Sequence, residues 1–194
     1  MKRESHLPYM PGIDGLRAIA VLSVFFYHVS LDWASGGWLG VDLFFVISGF
    51  LITSLLLREY EKNNHINVLE FWFRRARRLL PAVAVLIGAV MILALLFAPD
   101  SIDTLRGDAI AGLLYVENWH LILTDQSYFE TFIRPSLLRH LWSLSVEEQF
   151  YLVWPIVFAF GLTQLTRRRL LGVVIAGIFL STALMVFFLS LIHI

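Results

Sequence analysis

Apolar residues gather in five runs, at about 14–32, 38–57, 79–98, 143–163 and 170–192. A helix needs about 20 mostly apolar residues to cross a bilayer core, and each run is close to that length. The pattern predicts an all-α, polytopic transmembrane helical bundle of about five spans. Arg106 to Thr124 breaks it: its middle, Ala109 to Val116, is apolar, yet Asp108, Glu117, Asn118 and His120 accompany it. The expectation for 99–142 is therefore an extracytoplasmic segment holding an interfacial or re-entrant helix.

Charge sets the orientation. The 58–78 connection carries Arg58, Lys62, Arg74, Arg75, Arg77 and Arg78, and the turn at 164–169 carries Arg167 to Arg169, while 33–37 has none. Lys and Arg favour cytoplasmic loops. If 106–124 does not cross, the N-terminus and both basic connections share the cytoplasmic side; Arg106, Arg134 and Arg139 reduce the contrast. Met1-Lys-Arg before an apolar run resembles a secretory leader, but Arg17 interrupts that run and no small-x-small cleavage pattern follows Ser30, so a retained first span is expected. The expected location is the cell membrane.

Hydrophobic residues make up 58% of the 194-residue chain and charged residues 15%, which fits a membrane protein in one unit without linkers or repeats. Net charge is zero, so no basic surface calls for nucleic acid, and the absence of Cys removes thiolate metal sites and Cys nucleophiles. The chain stops inside its last apolar run, as a fragment of a longer protein would. Leu189 to Ile194 also match one reading frame of a sequencing-library adapter and are expected not to be native.

Against this background the ionisable residues stand out, because charge inside a bilayer is costly. Arg17 and His28 occupy the first run with ten residues between them. At about 100° per residue they share one helix face, separated by about 16 Å along the axis. Asp42 opens the second run, and Glu147 and Glu148 open the fourth. With the orientation above, His28 and these three carboxylates converge on the outer half of the bilayer. An imidazole beside a carboxylate is suited to accept an alcohol proton as a general base. The plainer alternative is that each group bonds a neighbouring helix. On the inner side Arg74, Arg75, Arg77 and Arg78 place four guanidiniums in five positions, a cradle for phosphates or an ordinary cytoplasmic anchor. The glycines lack the strand and Lys-Ser/Thr context of a phosphate loop. Ser48 and Ser145 have no His beside them in sequence, and Glu117 with His120 falls short of a metal site.

Four blocks then act together: Ile13-Asp-Gly-Leu-Arg-Ala18 with His28, Gly40-Val-Asp-Leu-Phe-Phe-Val-Ile-Ser-Gly-Phe-Leu-Ile-Thr53, Arg74-Arg-Ala-Arg-Arg-Leu-Leu-Pro81, and His140-Leu-Trp-Ser-Leu-Ser-Val-Glu-Glu-Gln-Phe-Tyr-Leu-Val-Trp-Pro155. In order and spacing, from about 9 to 160, the chain resembles the acyltransferase family 3 (OafA/YrhL-type) membrane O-acyltransferases. The resemblance implies a domain over 9–194, the first half of a roughly ten-span enzyme. Such an enzyme moves an acyl group, commonly acetyl, from cytoplasmic acyl-CoA to a hydroxyl on an extracytoplasmic glycan or similar acceptor. No bound cofactor is implied. Arg17 and His28 match the family's Arg-to-His motif, His28 being its essential His. Arg75 and Arg78 match the Arg-x-x-Arg element for the donor, with Arg74 and Arg77 in the same spacing. Glu147 or Glu148 matches the acidic position of the fourth span. A transporter using His, Asp and Glu as a proton path, or a non-catalytic sensor of lipid or CoA, are the readings from other classes.

Overall fold

The computed structural model describes residues 9–124 and 136–192, with side chains through Phe187. Met1-Lys-Arg, Arg134 and the side chains of the terminal hexapeptide lie outside the described residues. All regular structure among the described residues is helical.

Helix α1, Pro11–His28, begins with proline in its first turn, where a missing N–H costs nothing, and with Asp14 against the positive end of its dipole. It ends in a turn in which Ser30 adopts φ 58°. A 3-10 turn, Asp32–Ala34, leads into α2, Leu39–Asn63, which stops where Asn64 takes the left-handed conformation and donates its N–H to the Tyr60 carbonyl at 2.7 Å. Helix α3 runs Val68–Phe97, capped by Asn67, whose side chain accepts from the Glu70 amide at 3.1 Å. The 58–78 connection is thus mostly helix. Arg, Leu, Glu and Lys are good helix formers, so both helices continue through the charged stretch, and the four guanidiniums ride on α3.

Beyond α3 the chain folds back as two short helices, α4, Ile102–Leu113, and α5, Glu117–Leu123. At about 18 Å and 10 Å neither spans a bilayer core. Tyr115, at φ 54°, turns the chain between them. His120 of α5 then lies against Gly107 and Asp108 of α4, so the pair is a helical hairpin. Its α4 leg packs on α3: Val83, Ile87 and Ala94 meet Leu105 and Ala109, and Leu138 and Leu141 complete the cluster. Gly112 permits this packing, since a Cβ there would lie 2.6 Å from a Leu141 methyl.

Helix α6, Leu141–Gln164, follows, then α7, Arg167–Ile192. Two compact units result, Met1–Pro155 and Ile156–Ile194. In the first, α1 and α2 approach closely at Gly37 and Gly40. A Cβ at Gly37 would collide with the Ser23 carbonyl, and one at Gly40 with the Ala20 carbonyl. In the second, Gly161 receives Leu170, and the Arg167–Phe187 part of α7 buries no side chain inside the molecule. An apolar helix with no buried face belongs in lipid or against further membrane helices.

Among the described residues three helical segments are long and apolar enough to cross a membrane: Asp32–Asn63, Val68–Phe97 and Arg167–Phe187. The molecule is a helical membrane bundle. α6, at about 36 Å, has the length, but Glu147, Glu148 and Gln149 interrupt its apolar character. α1 is interrupted likewise by Asp14, Arg17 and His28.

Candidate active site

The contacts of α6 fix the relative heights of the helices. Trp142 meets Phe45, Ser48 donates to Glu147, and the Trp154 indole donates to Thr53 at 2.9 Å, so α6 runs parallel to α2. The Arg75 guanidinium donates to Glu148 at 2.9 Å and the Trp72 indole to the Tyr151 carbonyl at 3.1 Å, so α6 runs antiparallel to α3. Arg75 is therefore level with Ser48, the tenth residue of α2. The arginine cluster lies beside the middle of α2 and not in a loop beyond its end.

This placement corrects the expected grouping of His28 with three carboxylates. Glu147 and Glu148 join Arg75. Glu147 accepts from both Ser48 and Tyr151 and stands 4.0 Å from Arg75, whose guanidinium also lies 3.3 Å over the Tyr151 ring. Asp42 is exposed in the first turn of α2, just past Gly40, which packs on Ala20. Eight residues of α1 separate Ala20 from His28, about 12 Å of rise. The expectation sets the outer end of α1 level with the first turns of α2 and α6. Gly40 packs instead on Ala20, well short of His28, and Glu147 and Glu148 lie two turns into α6, level with Ser48 and Arg75.

The guanidiniums divide into engaged and available ones. Arg74 is bound by Glu70 at 2.8 Å, with Glu59 at 3.9 Å, and Arg75 by Glu148. Arg17 and Arg78 have no acidic partner among the described residues. Both line a cavity of ≈ 440 Å³ together with Arg74, Arg75, Ser48 and Glu147, walled on the apolar side by α2. Arg77 is not part of that lining, whereas Arg74, Arg75 and Arg78 are. Two unspent cations and two engaged ones around a space of this size suit a phosphate-bearing ligand.

His28 closes the last turn of α1, about 16 Å along the axis from Arg17. Its Nδ1 lies 2.8 Å from the Val24 carbonyl. A carbonyl can only accept, so Nδ1 carries the hydrogen, and in the neutral tautomer this selects the lone pair belongs to Nε2. His140, just before α6, places its ring edge-on to the His28 ring at 4.7 Å and 82°. Burial, followed by His28 and Arg139, pushes the His140 pKa down, so its ring is neutral at pH 7. His140 belongs to the motif that opens α6, and its place beside His28 is legible only in the folded chain.

The hairpin holds a separate polar group. Asp108 and Glu117 are fully buried, and His120 Nε2 stands 3.3 Å from Asp108. Glu117 donates its amide to Ser145 at 3.2 Å while its carboxyl oxygens find no partner among the described residues. Burial, and secondarily Asp108, raises its pKa to about 8. Gln149 ties the turn to α6 through the Tyr115 carbonyl at 2.8 Å.

Comparison with known proteins gives the family. Residues 10–194 match an acyltransferase domain model. The chain is 49% identical over 175 residues to the peptidoglycan O-acetyltransferase OatA of Listeria monocytogenes, covering 90% of this chain and 28% of that protein. It is 46% identical over 183 residues to the putative peptidoglycan O-acetyltransferase YrhL of Bacillus subtilis, covering 94% and 29%. The O-acetyltransferase OatA of Staphylococcus aureus is 49% identical over 179 residues, covering 92% and 29%. The chain thus spans less than a third of the length of these curated relatives, and no solved structure matches it. With an acyltransferase model matching from residue 10 to its end, the chain belongs to the acyltransferase family 3 membrane proteins.

Proposed function

We propose that this chain is the opening part of a membrane O-acyltransferase that takes an acetyl group from acyl-CoA at the cytoplasmic side and delivers it to a hydroxyl of a cell-wall glycan. The observation that carries the reading is the pairing of Arg17 and Arg78 in one cavity, with His28 about 16 Å further along the same face of α1. The nucleotide phosphates of the donor would sit on Arg17 and Arg78. The pantetheine arm, comparable in length to the rise of about 16 Å between Arg17 and His28, would carry the thioester to the imidazole. Five crossings with a cytoplasmic N-terminus put the cavity and His28 at successive depths of one path.

His28 is the general base. Its Nδ1–H is held by the Val24 carbonyl, so Nε2 is the atom that takes the hydroxyl proton. Asp42, Glu147 and Glu148 lie elsewhere, and the backbone carbonyl takes the orienting role expected of a carboxylate. The relatives' names point to a glycan acceptor, and a hydroxyl with a pKa far above 7 needs such a base.

The test is acetyl transfer by the full-length protein in proteoliposomes, with labelled acetyl-CoA on one side and a soluble peptidoglycan fragment on the other. His28→Ala is expected to abolish labelling of the glycan, while equilibrium binding of acetyl-CoA changes less than about 3-fold. Substrate flux that persists without acetyl-CoA would support a transporter instead.

A further inference from the structure

The geometry points to His140 as a second catalytic residue: a neutral imidazole whose N–H binds the acyl oxygen while His28 takes the proton. This rests on the reading of His28 as the base and adds a partner to it.

Two rings far apart in sequence, at the last residue of α1 and the residue before α6, meet at 4.7 Å with planes 82° apart. An edge-to-face pair sets the ring planes nearly perpendicular, so the two imidazoles can address different atoms of one small reacting group. His28 offers a lone pair at Nε2. A neutral His140 offers an N–H, and burial, with the Arg139 charge beside it, pushes its pKa down. Its place at the N-terminal end of α6 adds the positive end of a helix dipole, which also disfavours a second positive charge there.

The step balances with these two groups alone. The acceptor hydroxyl gives its proton to His28 Nε2 as its oxygen bonds to the acyl carbon. The carbonyl electron pair moves onto the acyl oxygen, which accepts the His140 N–H. Collapse re-forms the carbonyl and breaks the carbon–sulfur bond, and the departing CoA thiolate takes the proton from His28. Both imidazoles end as they began. A neutral imidazole is the right donor here, because an imidazolium 4.7 Å away would oppose protonation of His28 in the same step.

The experiment compares His140→Ala, His140→Phe and His140→Gln with His28→Ala in the full-length protein, measuring kcat and the KM for acetyl-CoA. Removing one such donor costs about 10²- to 10³-fold in kcat. Ala and Phe are expected to show that loss with KM unchanged within about 3-fold, and Gln, which keeps an N–H donor, to recover at least about 10-fold of it. Wild-type kcat in His140→Phe, or a Gln variant no better than Ala, overturns the role of His140. A fully active His28→Ala overturns the base on which it rests, and the two failures are read from different variants.

Discussion

Individual side chains in this protein are assigned by what already holds them. Arg75 and Arg78 are one helical turn apart and alike in sequence, but Arg75 is clamped by Glu148 and stacked on Tyr151, with its side chain 23% exposed. Removing one member of a partly buried ion pair strands the other, at a cost of about 3 kcal/mol. Arg75→Ala is therefore expected to lower the melting temperature of the detergent-solubilised protein. Arg78→Ala should leave melting unchanged and raise the KM for acetyl-CoA about 10- to 100-fold, the loss of one charge-assisted hydrogen bond to phosphate. Equal effects of the two on KM, with no difference in melting, would contradict the division. Glu117 supplies a pH dependence. Its carboxyl is raised to about 8 from an ordinary value of 4.5, so between those limits the unfolded chain ionises while the folded one keeps its proton. Stability from this group is intact below pH 4.5, falls as pH rises, and levels off above 8. Glu117→Gln should raise the melting temperature at pH 8 more than at pH 5.

At the scale of the helices, two features of the bundle depend on single positions without a side chain. Gly40 lets the Ala20 carbonyl of α1 meet the α2 backbone, and this contact sets how far α1 slides along α2. Gly40→Ala puts a methyl into a backbone carbonyl, which cannot rotate away. The expected result is a destabilisation of about 1–3 kcal/mol by overpacking, seen in thermal melts, whereas Gly49→Ala, with open space around it, is expected to be silent. The α4–α5 hairpin is the other feature. The mixture of apolar and ionisable residues at 106–124 read as a segment that enters without crossing, and the folded form agrees. Asp108 and His120 face each other across the hairpin, and Gly107 makes room for the imidazole. The polar residues that spoil this segment as a span are those that close it on itself.

For the molecule as a whole, the sequence determined the helical membrane class and the family, whereas α2 and α3 run on through the charged 58–78 connection. Class and family rest on local pattern: the length of an apolar run, the face shared by Arg17 and His28, the order of short motifs. It also showed which residue types were out of place in lipid, and so where chemistry was to be sought. Tertiary structure alone decided which of those residues meet. Glu147 and Glu148 left the expected company of His28 for Arg75, Ser48 and Tyr151, and His140 took the place beside His28. The reason is that a helix periodicity fixes the face on which a side chain lies, whereas the height at which two helices pair is set by close packing. Here that packing is made at Gly37, Gly40 and Gly112, and by an α3 that runs further than its apolar part.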